Sequence, residues 1–491
     1  MQVETRTPTG KIKLNHIQRI LTTLNDDLSS PHLTPEQRRE ALEQLKIHGR
    51  DPKDAGPIFT TEGIGILTKH GLTERSSPSS LEALRCLANA MLLEPRTRQI
   101  FVNLGSAGQA AERLKIPDSD NEFLISRILF LLTYESNLNF DPLFNDHDLG
   151  QSINAHTARH AKEISQADSK NEPSSFDQAA LSESLKLLFN LSTYYPRHVS
   201  TFTASSENIR KILSHIAIPN PPLQPPITHL INALVNLDLQ DDHQSDSISN
   251  LTTTITILTT ILSQSLTSYN PTELETHAIP LLTLLRKIYA YTSQTQKKHM
   301  RSLLLPQKSD RDLPLGQSDT LPSKLLRLST SPAAPKLREG ISSLLFELSD
   351  QDATTFVRNV GYGYAAGFLL SHGMAVPESA MKARHGSARD GDGEGGEVTA
   401  AEEGELVNPV TGQKLSKEEE AMVDTGPEMS EEEKEREAER LFVLFERLRA
   451  TGVVSVENPV REAVERGAFD GGGAGGTGGG RVEELGDHDH D

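Results

Sequence analysis

An eight-residue pattern recurs along this chain and restricts its fold more than any other feature. Leu185-Lys-Leu-Leu-Phe-Asn-Leu-Ser192 aligns without gaps on Ser126-Arg-Ile-Leu-Phe-Leu-Leu-Thr133 and on Ser342-Ser-Leu-Leu-Phe-Glu-Leu-Ser349. Looser copies are Leu84-Arg-Cys-Leu-Ala-Asn-Ala90, Ile231-Asn-Ala-Leu-Val-Asn-Leu237 and Leu285-Arg-Lys-Ile-Tyr-Ala-Tyr-Thr292. With Asn89, Leu131, Asn190, Asn236, Ala290 and Glu347 as reference positions, the separations are 42, 59, 46, 54 and 57 residues. Leu185, Leu188 and Phe189 fall at i, i+3 and i+4, as do Leu84 with Leu87 and Leu345 with Leu348, so each copy is one face of a helix. A unit of this size cannot bury that face alone and needs a neighbour on either side.

The predicted fold is therefore all-α, an armadillo/HEAT-like helical-repeat superhelix with a concave groove, since such repeats run roughly 40–47 residues. Polar inserts in the longer separations, 137–175 and 307–323, read as loops that leave the stack intact. Pro95, Pro117, Pro196, the Pro-rich run 219–226, Pro280, Pro306 and Pro332 punctuate the stripes where helices should end. Charge divides the chain: from Met381 onward there are 28 Asp+Glu against 13 Lys+Arg, leaving 40 against 36 before it. An acidic tail repels phosphate backbones, which argues against nucleic acid as a partner. Cys86 is the only cysteine, Met1 to Gly10 has no apolar core, and the run Leu251 to Leu262 is short and half Thr. These features predict a cytoplasmic chain with no transmembrane segment. No sequence pattern for a metal, a cofactor or a catalytic nucleophile is present, so no catalytic residue is assigned.

Residues 1–380 are read as the repeat domain and 381–429 as an acidic Gly/Glu-rich linker. Ser430 and Glu433 make a capping box that opens a helix over 430–451, and 452–491 is a flexible Gly-rich acidic tail. Ala438, Leu441, Phe442, Phe445 and Leu448 give that helix an apolar stripe, which covers either the repeats or a partner. Read as a phosphate loop, Gly361, Gly363 and Gly367 fail, because no Gly-Lys-Ser/Thr follows them. A tight turn leading into a closely packed helix fits them better.

Five segments narrow the reading. They are Leu81-Glu-Ala-Leu-Arg-Cys-Leu-Ala-Asn-Ala-Met-Leu-Leu-Glu-Pro-Arg-Thr-Arg-Gln99, the stretch Leu185 to Thr193, Thr355-Phe-Val-Arg-Asn-Val-Gly-Tyr-Gly-Tyr-Ala-Ala-Gly-Phe-Leu369, Val407-Asn-Pro-Val-Thr-Gly-Gln413, and the acidic helix from Met429. In this order they resemble the synembryn family, fungal members in particular, with Tyr364 standing where many members have Asn. The resemblance implies a guanine nucleotide exchange factor and folding chaperone for heterotrimeric G-protein α subunits, GDP-bound or nucleotide-free. It implies a monomer without covalent chemistry, brought to the plasma membrane through Gα. Capture of the Gα C-terminal helix in the groove is implied as well, as is phosphorylation before the Asn-Pro-Val-Thr-Gly segment, for which Thr399 with Glu402 is the candidate.

Candidate groove residues are Asn89, Asn190 and Asn236 with Arg85 and Lys186, extended by Lys46 and Arg50. An Asn amide offers donors and an acceptor to a peptide backbone, and the cations would face a terminal carboxylate. Alternatively the Asn side chains bridge neighbouring helices, and Arg85 and Lys186 lie along helix edges. Leu441, Phe442, Phe445 and Leu448 are the candidate tail contact. The rival reading is an armadillo-type peptide-binding adaptor or scaffold without exchange activity. Import adaptors of that kind place Trp beside the Asn, and this chain has no Trp.

Overall fold

The computed structural model describes residues 9–72, 76–166, 174–239, 245–375 and 407–418, with Arg436 alone beyond them. Thr399 and the stripe Leu441, Phe442, Phe445 and Leu448 lie outside the described residues. The first part of the stack runs α1 (Gly10–Ser29), α2 (Pro35–Gly49), α3 (Thr61–Gly71), α4 (Pro78–Leu93), α5 (Arg96–Asn103), α6 (Ala107–Leu114) and α7 (Ser119–Leu132). The middle holds α8 (Asp141–Asn145), α9 (Leu149–Ser165), α10 (Ser175–Tyr194), α11 (Thr203–His215), α12 (Ile227–Asn236) and α13 (Ser245–Ser268). Then follow α14 (Pro271–His277), α15 (Ile279–Tyr291), α16 (Gln294–Leu304), α17 (Leu321–Leu328), α18 (Pro335–Leu348), α19 (Ala353–Val360) and α20 (Tyr362–Ser371). No strand occurs among the described residues, only an isolated bridge between Val407 and Lys414. None of the described helices is long and apolar enough to cross a membrane.

All six sequence repeats fall on one ladder. Helices α2, α4, α7, α10, α12, α15 and α18 each pack on the next, and α4 to α18 carry the six copies in order. A second layer backs them, in which α1 packs on α3, α3 on α5, α9 on α11, α11 on α13 and α13 on α16. Most of the predicted stripe residues face the space between the layers: Leu84, Leu87, Leu185, Leu188, Leu345 and Leu348 are buried, whereas Phe189 is half-buried and outside the core. Each buried Leu contributes about 1.5–3 kcal/mol of transfer free energy, and no single pair of helices could collect it alone. Capping boxes at Thr34, Ser77, Ser174, Asn270 and Ser293 set where helices begin. Pro280 differs from the expectation. It lies in the first turn of α15, where a missing N–H is tolerated.

The polar insert 137–175 is not a loop. It contains α8 and the seventeen-residue α9, a member of the second layer. Its buried face mixes Leu149, Ile153, Ala161 and Ile164 with Asn154, His156, Thr157 and His160, and the polar members interrupt the apolar periodicity. Asn154 Nδ2 donates to the Thr201 carbonyl at 2.8 Å, His156 Nε2 to the Leu114 carbonyl at 2.7 Å, and Thr157 pairs with Ser205 at 3.1 Å. His160 Nε2 lies 2.9 Å from Glu122, whose carboxylate is fully buried. Polar groups buried this deeply persist because each finds a partner.

Residues 407–418, inside the span that composition assigned to a linker, fold as a strap on the last repeats. The strap donates Lys414 N–H to the Arg311 carbonyl and accepts at Thr411 from Leu315 N–H, at Pro409 from Tyr362 N–H and at Val410 from Gly363 N–H. Arg311 binds three carbonyls with its guanidinium: Gly412 at 3.0 Å and Arg358 and Asn359 at 2.9 Å each. Gly361, at φ +81°, makes the turn between α19 and α20, and a Cβ there would meet the Val410 carbonyl at 3.0 Å. Gly361 thus serves a close backbone approach, whereas Gly367, expected in a closely packed helix, is exposed and a Cβ there would meet nothing within 4 Å.

Candidate groove on the inner helices

Four of the six repeat-bearing ladder helices present a cation at the same register. Four residues before the reference position stand Arg85, Arg127, Lys186 and Arg286 on α4, α7, α10 and α15. Each is held by an acid from its own helix or a neighbour. Lys46 Nζ lies 2.6 Å from Glu82, which also takes Arg85 at 2.8 Å, and Arg85 reaches Asp120 on α7 at 2.6 Å. Glu183 takes Arg127 at 3.3 Å and Lys186 at 2.7 Å. Arg286 pairs with Glu347 on α18 at 2.5 Å. Beside it, Lys287 donates to the Val235 and Leu237 carbonyls at the end of α12, and burial lowers its pKa. The ladder is thus a row of partly exposed cations above more deeply set carboxylates.

The three candidate Asn differ. Asn190 is buried, donates to Thr133 Oγ1 at 2.7 Å and accepts from the Tyr134 hydroxyl at 3.3 Å. Asn236 Nδ2 donates to Thr193 Oγ1 at 2.7 Å and to the Phe189 carbonyl at 3.4 Å. Both therefore bridge adjacent ladder helices, α10 to α7 and α12 to α10. Asn89 is half-buried on α4 and has no side-chain hydrogen bond among the described residues, so its amide is free. Arg50 is exposed at the end of α2 and likewise has no acid partner among the described residues. Lys46, Arg85 and Asn89 lie together on α2 and α4, while Lys186 belongs to a separate group on α7 and α10.

Sequence reasoning passed over Glu82, Glu183, Arg127 and Arg286. The signal for the cations was present: a basic residue at one register in four of six copies. Two adjoining cavities open between α15 and α18. One, of about 680 Å³, is lined by Arg286, Lys287, Tyr291, Lys297 and Glu347. The other, of about 590 Å³, is lined by Ile279, Leu282, Arg286, Lys336 and Ser343.

No group of side chains suited to hold a metal occurs among the described residues. Glu122, with His156 and His160 one helical turn apart, is a structural cluster: Ser184 Oγ donates to it at 2.7 Å and the Arg159 guanidinium also binds it. Burial opposes its ionisation. The hydrogen bonds and charges of the two histidines outweigh burial and hold the carboxyl well below the usual range.

Comparison with known proteins gives a consistent result. Residues 41–468 match the family described as guanine nucleotide exchange factor synembryn. A synembryn-like chaperone of Schizosaccharomyces pombe is 32% identical over 191 residues, 39% of this chain and 35% of that protein. Chaperone Ric-8 of Drosophila pseudoobscura pseudoobscura is 32% identical over 176 residues, 36% of this chain and 30% of that one. Chaperone Ric-8A of Gallus gallus is 29% identical over 216 residues, 40% and 37% of the two chains. The chain thus spans about a third of the length of the curated relatives it matches.

Proposed function

This chain belongs to the synembryn family of guanine nucleotide exchange factors, and from that premise we propose that it binds heterotrimeric G-protein α subunits through the inner-helix groove, releases their GDP and chaperones the emptied or nascent subunit. The observation that carries the reading is the family match itself, which runs through every helix of the ladder from within α2 to α18. The register of cations supports it. A groove lined by Lys46, Arg85 and Lys186, with Arg50 exposed at one end and the Asn89 amide free, suits a helix that ends in a carboxylate. Asn190 and Asn236, engaged between ladder helices, fix the spacing of the groove and leave peptide contact to Asn89.

An exchange factor performs no covalent step and works by differential binding. If the groove draws the C-terminal helix of Gα away from its nucleotide domain, affinity for this protein and affinity for GDP oppose each other by one factor. A thousandfold factor corresponds to about 4 kcal/mol. The same surface accounts for chaperoning, because a ligand that binds the nucleotide-free fold stabilises it by mass action until GTP arrives.

The test is GDP release from purified Gα with and without this protein, repeated with Gα lacking its C-terminal helix. Acceleration that disappears on truncation is expected. Binding without acceleration would assign the chain to the scaffold class instead.

A further inference from the structure

Two carboxylates on the ladder each lie beneath a pair of cations. The Glu82 side chain is 12% exposed under Lys46 and Arg85, which are 17% and 32% exposed. Glu183 is 6% exposed under Arg127 and Lys186, at 30% and 29%. In both groups the acid beneath the pair is the deeper member and fixes its cations in place. The groups differ in what else touches them. Arg85 also holds Asp120, itself 42% exposed, so the first group is balanced in charge while the second keeps one net positive charge. The second pairs with no further acid among the described residues. Its cations rest on aromatic faces instead, Lys186 at 5.1 Å from the Phe130 ring and Arg127 at 5.7 Å from Phe123. Nearby His229 adds no charge, since burial and then Lys186 lower its pKa to about 4.

We propose that Arg127, Glu183 and Lys186 form a second anion-receiving point in the groove, for an acidic side chain on a helical peptide whose terminal carboxylate sits at the Lys46, Glu82 and Arg85 group. The inference rests on the groove reading above and specifies which helix the groove accepts. Glu82 is on α4 and Glu183 on α10, with α7 between them. Two interhelical steps amount to about 16–20 Å. At 1.5 Å per residue, a helix lying across the ladder would place its two carboxylates about eleven to thirteen residues apart. Glu183 is a positioning residue here: it aims two cations at the ligand and takes no part in contact itself.

Fluorescence anisotropy on the full chain tests this with labelled synthetic helices of about twenty residues. The reference peptide has a free C-terminus and a Glu about twelve residues before it; the others carry Gln at that point or an amidated terminus. Wild type should bind the Glu peptide about three- to tenfold more tightly than the Gln peptide. That preference should vanish in the Arg127→Gln, Lys186→Gln double variant. Glu183→Gln, which leaves the two cations unaimed, should shrink the preference for the Glu peptide over the Gln peptide, and Glu183→Asp should restore part of it, a rescue that is read in the ratio of the two peptides and not in stability. Equal binding of the Glu and Gln peptides by wild type, or equal losses in the double variant, overturns the proposal. If amidation still weakens binding in that case, the groove reading survives. Failure of every peptide to bind sinks the groove reading, and this proposal with it.

Discussion

Replacement of Glu122 by Gln should remove a joint between three helices. The carboxylate of α7 accepts from Ser184 of α10 at 2.7 Å and from His160 of α9 at 2.9 Å, lies 3.3 Å from His156 Nδ1 and binds the Arg159 guanidinium. Gln keeps the shape and the acceptor for Ser184, but its NH₂ then faces the Arg159 and histidine donors in a site with no access to water. Removing one partner of a buried ionic cluster costs about 3–5 kcal/mol, because the remaining charge is left uncompensated. A loss of about 3 kcal/mol is a large part of a domain's stability.

The pH dependence has a definite sign. The Glu122 pKa is lower folded than its ordinary value of 4.5, so its contribution is fully present above pH 4.5 and is lost as pH falls below it. The gap between wild type and Glu122→Gln should be widest near neutrality and narrow in acid. Repeat arrays can unfold in parts, so hydrogen exchange of α7, α9 and α10 under rising urea is the measurement of choice. A gap below about 1 kcal/mol at pH 7, or one that widens in acid, would refute the ionic account.

Three other substitutions follow from the structure. Gly412→Ala places a Cβ 2.4 Å from Leu315 at φ +70°, so it should cost about 1–3 kcal/mol and speed amide exchange at Tyr362 and Gly363, leaving α4 and α7 unaffected. Asn190→Ala breaks the bridge to α7 and should lower the melting temperature. Asn89→Ala should leave melting unchanged and weaken a Gα C-terminal peptide, and the opposite pattern in calorimetry and binding would reverse the two roles.

The inner layer was legible in the sequence because its apolar stripe repeats at one register from Leu84 to Leu348. Helix α9 was not, because it buries Asn154, His156, Thr157 and His160, and only partners far off in the chain, Leu114, Glu122, Thr201 and Ser205, explain why those residues are inside. The strap escaped notice for a related reason. Composition over 381–429 averages away a short segment whose order comes from Arg311 and two backbone ladders, not from apolar side chains. The cations of the groove were legible singly, as Lys46, Arg85 and Lys186. The acids that aim them were not, since Glu82 and Glu183 look like ordinary solvated charges until α2 meets α4 and α7 meets α10. Asn190 shows the same limit: its pattern fitted peptide capture and helix bridging equally, and its partner Thr133 lies 57 residues away in the chain.

The return of the chain at residues 407–418 determines how tension travels. Pulling on anything beyond Glu418 would load the hydrogen bonds at Arg311, Leu315, Tyr362 and Gly363. A load applied at that end would therefore be felt at α19 and α20 directly.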